Sequence, residues 1–172
     1  MTRKSITIFC SALLISLFAL AASQSKDNPK SSAQKSVPWA IQVERVDSST
    51  VSLPPEFSAA TYEDLIDQIT RSGKFERVFR SGDRQAESVP NLLVLKTNVE
   101  KFQQGSETTR AVTTVGGFTK IVVHMQLAAK DGRKLADKQV EGKIRFFGEN
   151  LKATQDLTKS IVKVLQQTSF TQ

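Results

Sequence analysis

Cysteine is nearly missing from this chain: of 172 residues only Cys10 is one, and it sits in an apolar stretch near the amino terminus. The rest of the sequence can form no disulfide and offers no thiol for nucleophilic or redox chemistry. Histidine is equally scarce. His124 is the only one, so neither a zinc site of Cys and His nor a Ser-His-Asp relay has its parts. No apolar run reaches the roughly 20 residues that cross a bilayer as a helix. A phosphate-binding loop is missing too: Gly116-Gly117 is followed by no Gly-Lys-Ser/Thr, and a glycine pair inside a strand pattern reads as a bulge or bend. These absences leave no catalytic residue, metal ligand or cofactor to name. The expectation is a protein that is not an enzyme.

What is present begins with an address. Arg3 and Lys4 precede an apolar run from Ile6 to Leu20, and Ala19-Leu20-Ala21 supplies a small-residue cleavage pattern, which reads as a secretory signal peptide over residues 1–21. Cys10 is not a lipid-attachment site on this reading, because Thr7-Ile8-Phe9 are not small residues and the cysteine lies inside the apolar run. The mature chain is then periplasmic or secreted, with no transmembrane segment. Losing Arg3 and Lys4 leaves 22 basic against 17 acidic residues, a net charge of +5. Beyond the inner membrane the anions on offer are headgroups, lipopolysaccharide, wall polymers and acidic proteins rather than nucleic acid. Residues 22–36, polar and without periodicity, read as a disordered tether. Residues 37–168 read as one domain, and about 130 residues can bury well over 60% of their unfolded surface without staples.

Along that domain, Ile41–Val46 alternates as a first strand, with Trp39 as a lid over the core edge. Leu53-Pro54-Pro55 opens a helix whose apolar stripe is Tyr62, Leu65, Ile66 and Ile69 and which Gly73 ends. Glu63, Asp64 and Asp67 fall on its solvated side. Phe75–Arg80 is a short strand and Leu92–Phe102 a longer one, burying Leu93, Leu95, Thr97 and Val99. Gln103–Arg110 reads as a polar loop and Ala111–Val115 as the start of a return strand.

The organising stretch is Phe118–Phe147, a long hairpin folded at Lys130-Asp131-Gly132-Arg133. Asp-Gly between alternating runs is a strong hairpin signal, and a two-residue loop pairs residues whose numbers sum to 263. In that register Ile121, Val123, Met125, Leu127 and Ala129 share a face with Ala136, Val140, Ile144 and Phe146. After Gly148, Asn150 is a fit N-cap for a last helix to about Gln167, carrying Ala153, Leu157, Ile161, Val164 and Leu165 inward. The predicted fold class is α+β: a two-layer sandwich, with a mainly antiparallel (mixed) five-stranded sheet and two helices on one face.

The outer face of the hairpin carries the candidate binding residues Phe118, Lys120, His124, Lys143, Arg145 and Phe147. Lys120 falls opposite Lys143 and Phe118 opposite Arg145, and like charges facing each other destabilise a sheet. Either a diagonal contact to Glu141 or Glu100 offsets the repulsion, or an anionic partner does, with Phe118 and Phe147 adding apolar or cation–π contact.

Tyr62-Glu63-Asp64-Leu65, Gly73-Lys74-Phe75, Val112-Thr113-Thr114-Val115 and Arg145-Phe146-Phe147-Gly148-Glu149-Asn150 together resemble a set of exported bacterial proteins of uncharacterised function. The layout is similar to the domain of unknown function 4410 family and, more loosely, to the amino-terminal α/β domain of TolB. The resemblance implies a cell-envelope interaction module without known activity, binding an envelope protein or an anionic envelope component. The alternative is a carrier for a small apolar or anionic ligand held between sheet and helices.

Overall fold

The protein is described by a computed structural model over residues 38–112, 117–144 and 149–170. Residues Ser36–Gln172 form one compact unit. Its elements in chain order are β1 (Ala40–Val43), α1 (Pro55–Ser72), β2 (Arg77–Arg80), a 3-10 helix (Arg84–Ser88), β3 (Leu92–Gln103), α2 (Glu107–Val112), β4 (Thr119–Ala129), β5 (Lys134–Ile144) and α3 (Lys152–Gln167).

The strands form one mixed sheet in the order β2-β1-β3-β4-β5. β1 runs parallel to both of its neighbours, while β3, β4 and β5 are antiparallel. The fold is therefore the α+β layering expected, with α1 and α3 on one face. Proline at the first helical position opens α1, and Gly73 at φ 63° closes it. Phe57, Thr61, Leu65 and Ile69 repeat at helical spacing and are buried. Ala153, Leu157, Ile161 and Leu165 do the same for α3. They meet Ile41, Val43, Leu93, Leu95, Val123 and Met125 from the sheet, none more than 1% exposed.

The hairpin keeps the predicted register by a route the sequence reading did not foresee. Gly132 N–H donates to Ala129 O, Ala129 N–H donates to Arg133 O, and Gly132 sits at φ 88°. This is a three-residue loop of Lys130, Asp131 and Gly132 with a glycine bulge, not the two-residue turn expected. Such a loop pairs Ala128 with Lys134, one short of the expected sum. A second bulge at Leu135 then restores it, so Leu127 faces Ala136, Val123 faces Val140 and Lys120 faces Lys143.

Other expectations are corrected by tertiary contacts. Asn150 does not cap α3. Its amide oxygen accepts from the hydroxyl of Thr119 at 2.5 Å and its N–H donates to Glu107 at 2.9 Å, because the wholly buried Thr119 hydroxyl needs a partner. Leu151 occupies the capping position without a side-chain bond. Ala111 and Val112 are helical, since Ser106 Oγ accepts the Thr109 N–H at 3.2 Å and starts α2 instead of a strand. Residues 113–116 lie outside the described residues. Asp64 is not on a solvated face, for it accepts from Thr154 at 2.8 Å and ties α1 to α3. Strand β2 has its sides resolved: Phe75, just before it, joins the main core, while Phe79 packs on the opposite face with Ala40, Ala86 and Leu92. The 3-10 helix thus roofs the β2–β1 end of that opposite face, and among the described residues no helix roofs the β3–β5 part.

Candidate functional site

The uncovered face is built by strand parity. On β4 this face carries Lys120, Val122, His124 and Gln126, of which Val122 is itself buried. Their partners are Lys143, Glu141, Gln139 and Asp137 on β5, and Gln103, Lys101, Asn98 and Lys96 on β3. A bulge between Val99 and Lys101 makes Glu100 an extra residue in β3, and such an insertion re-aims a side chain. Here it brings Glu100 Oε1 to 4.0 Å from His124 Nδ1.

His124 is consequently held between two carboxylates, since its Nε2 bonds Asp137 Oδ1. The other Asp137 oxygen accepts from Gln126 at 3.3 Å and from Lys134 Nζ at 3.2 Å. Gln139 Nε2 donates to Glu100. The hydrogen bond from His124, then that from Lys134, holds the Asp137 carboxyl below the usual carboxylate range. About 13 Å further along β4, four residues at a rise near 3.3 Å each, lies the lysine pair. Lys120 Nζ is 2.6 Å from Glu141 Oε2, and Lys143 Nζ sits 5.0 Å from the centre of the Phe118 ring. The diagonal carboxylate offsets one lysine and the aromatic ring faces the other. Phe118, Lys120 and Lys143 are brought together and His124 belongs to a separate polar network. Arg145 and Phe147 lie outside the described residues. Among the described residues no three His, Cys, Asp or Glu side chains converge to hold a metal ion.

A second location was missed in the sequence. β1 leaves the sheet toward α1 on one face and β2 leaves toward the 3-10 helix on the other. Where neighbouring parallel strands send their connections to opposite faces, a crevice opens beyond their carboxyl ends. It measures about 700 Å³ and is lined by Arg45, Val46, Leu53, Pro55, Tyr62 and Arg80, among others. Tyr62 is fixed in its wall, its hydroxyl accepting from Ser81 N–H at 2.9 Å and donating to Val43 O at 3.4 Å. Arg80 holds both oxygens of Glu63 at 2.7 Å. A smaller cleft of about 440 Å³ shares Arg45 and reaches His124 by way of Lys96 and Asn98. The amide oxygen of Asn98 is buried there with no hydrogen-bond partner among the described residues. The only sequence sign of the crevice is a strand-helix-strand order followed by a turn too short to be a second crossover helix.

No protein family and no curated protein matches this sequence. Solved structures do match. A variant of PelC from Paraburkholderia phytofirmans, solved as a dodecamer, superposes with a TM-score of 0.56 at 14% identity over 74% of this chain and 89% of that one. A second PelC dodecamer from that organism gives 0.55 at 15% identity, over 75% and 88%. The hypothetical protein CT253 of Chlamydia trachomatis gives 0.50 at 10% identity, over 75% and 96%. At such identities the likeness is one of fold.

Proposed function

We propose that this chain is a non-enzymatic binding module of the cell envelope, exported by its amino-terminal segment, which engages an anionic envelope component or an acidic protein through the uncovered face of β3, β4 and β5. One observation carries the reading: that face is roofed by neither α1, α3 nor the 3-10 helix, yet places Lys120 directly against Lys143. Glu141 and the Phe118 ring hold the two ammonium groups in place, and an exposed cation–π pair is worth only about 0.5–1 kcal/mol. An anion seated across both lysines would remove the repulsion that remains. The fold's occurrence in PelC, which was solved as a dodecamer, is in keeping with a module that works by contact between chains.

The carrier reading draws support from a different place than first expected. The junction of sheet and helices is filled by Ile41, Leu65, Ile69, Leu93, Met125 and Leu157, all essentially without exposure. The crevice beyond β1 and β2 lies within the size range of small-molecule sites.

An affinity capture from the envelope fraction of the source cells, at low and high salt, tests the proposal. A partner retained at low salt should be lost at high salt and by Lys120→Glu with Lys143→Glu, whose folding is checked by circular dichroism. Retention through both treatments would sink the sheet-face reading.

A further inference from the structure

The crevice beyond β1 and β2 joins an apolar surface to one uncompensated charge. Val46, Leu53 and Tyr62 line it while packing against the main core, and Ala59 adds the exposed side of α1. The Tyr62 hydroxyl is already engaged by Val43 O and Ser81 N–H, so this residue offers a ligand its carbon surface rather than its oxygen. Three charged side chains border that surface, Arg45, Glu63 and Arg80. Arg80 and Glu63 satisfy one another through two bonds of 2.7 Å. Arg45 is different. Among the described residues its guanidinium has no hydrogen bond and no ion pair, although two carboxylates are near it in sequence. Glu44 accepts from Ser81 Oγ at 2.7 Å instead, and Asp47 accepts from Ser49 N–H at 2.9 Å. Two guanidiniums against one carboxylate leave the lining with a net charge of +1.

Building on the carrier reading of this crevice, we propose that its ligand is a small hydrophobic carboxylate, with the carboxylate on Arg45 and the hydrocarbon body against Val46, Leu53, Ala59 and Tyr62. Charge and shape select that class. A cation would meet only Glu63, both of whose oxygens Arg80 holds. A dianion such as a phosphate monoester would exceed the single positive charge and stand beside Glu63. A neutral apolar molecule would gain nothing from Arg45. A carboxylate matches the planar fork of a guanidinium with two parallel bonds, and about 700 Å³ leaves room for a body of several carbons. The site is separate from the lysine pair of the sheet face, which lines no part of this crevice.

Octanoate is the probe, titrated into the purified protein and followed through the amide NMR signals of Val46, Ala59, Tyr62 and Ser81. Octanamide is its uncharged counterpart, and acetate is the carboxylate without a body. Octanoate should move these signals and bind about tenfold or more tighter than octanamide, the difference that hydrogen bonds to a charged group make. Arg45→Gln, at an exposed position without side-chain bonds among the described residues, should abolish that advantage and leave octanamide binding unchanged. Ala59→Phe, on the exposed side of α1, fills the crevice and should weaken both ligands. Equal affinity for octanoate and octanamide, or full octanoate affinity in Arg45→Gln, overturns the carboxylate and leaves the carrier reading standing. Acetate binding as tightly as octanoate overturns the hydrophobic body. Binding of neither octanoate nor octanamide takes the carrier reading down as well. Octanoate shifts at the amides of Lys120 and Lys143, with none at the crevice, would move anion recognition to the sheet face and overturn it here.

Discussion

Two residues, His124 and Lys74, show how a side chain's partners settle its part in this molecule. His124 is the kind of residue that invites a catalytic reading, yet both of its ring nitrogens face carboxylates, Asp137 and Glu100. What this arrangement produces is a pH-dependent brace. The Asp137 carboxyl is held below its ordinary 3.8, first by His124 and then by Lys134, so the folded state binds its proton less readily than the unfolded chain does. The stabilisation is therefore complete above that ordinary value and disappears as pH falls through the lowered one. Asp137→Asn should be less stable than wild type in urea at about pH 5, and the gap should narrow toward about pH 3. A gap that stays constant would remove Asp137 from the acid limb of the stability curve. Lys74 is the opposite kind of case. The sequence shows no basic residue in the last turn of α3, and local capping rules would leave that end bare. Lys74, 91 residues earlier, reaches it and donates to Leu165 O at 2.5 Å and Thr168 O at 2.7 Å while lying 4.3 Å from the Phe170 ring. Neither role could be read locally, because each depends on an element brought near by the fold.

The hairpin and the two long helices were legible in advance at the level of whole elements because local signals agreed there. Alternation set the faces of β4 and β5, Pro55 and Gly73 bounded α1, and the stripe of α3 ran at a helical period. Legibility failed where two elements compete for one group, as at Asn150, or where two local irregularities cancel, as the three-residue loop and the Leu135 bulge do. The candidate site followed the same division. The outward row of β4 was readable from parity, whereas the Glu100 bulge and the crevice beyond β1 and β2 required the neighbouring strands. Gly142 is an element-scale constraint hidden inside a readable strand. A Cβ there would stand 2.3 Å from Ala153 O and 2.4 Å from Leu157 Cβ, so α3 crosses β5 at the one residue that lets it come so close. Gly142→Ala should lift the helix and cost roughly 1–3 kcal/mol. At Gly132, which has φ 88° and nothing within 4 Å of an added Cβ, Gly132→Asn should cost only a few tenths, since asparagine tolerates that backbone. Equal losses in urea denaturation at the two positions would mean that the α3 crossing is not what requires glycine.

The whole molecule divides its sheet unevenly between two kinds of pairing. Strands β3, β4 and β5 are eleven or twelve residues long and joined antiparallel, and α3 packs on β5 and β4. The parallel half is two four-residue strands, with β2 bonded on one side only. A central strand with buried neighbours exchanges its amides only when the whole unit opens, while a short edge strand opens alone at lower cost. Strand β2 has side-chain anchors, notably Phe79 under the 3-10 helix and Arg80 on Glu63, but exposed ion pairs contribute at most about 1 kcal/mol. Native-state hydrogen exchange should therefore find the amides of Leu95, Val123 and Met125 protected to the full unfolding free energy. Those β2 amides that bond β1 should exchange through a smaller opening that is insensitive to low denaturant. The crevice wall contributed by Arg80 and Ser81 would move with that opening, making the parallel end the adaptable one and the β3–β5 face the rigid one. If β2 amides proved as protected as those of β4, the unit would open as one, and both surfaces would present themselves to partners equally preformed.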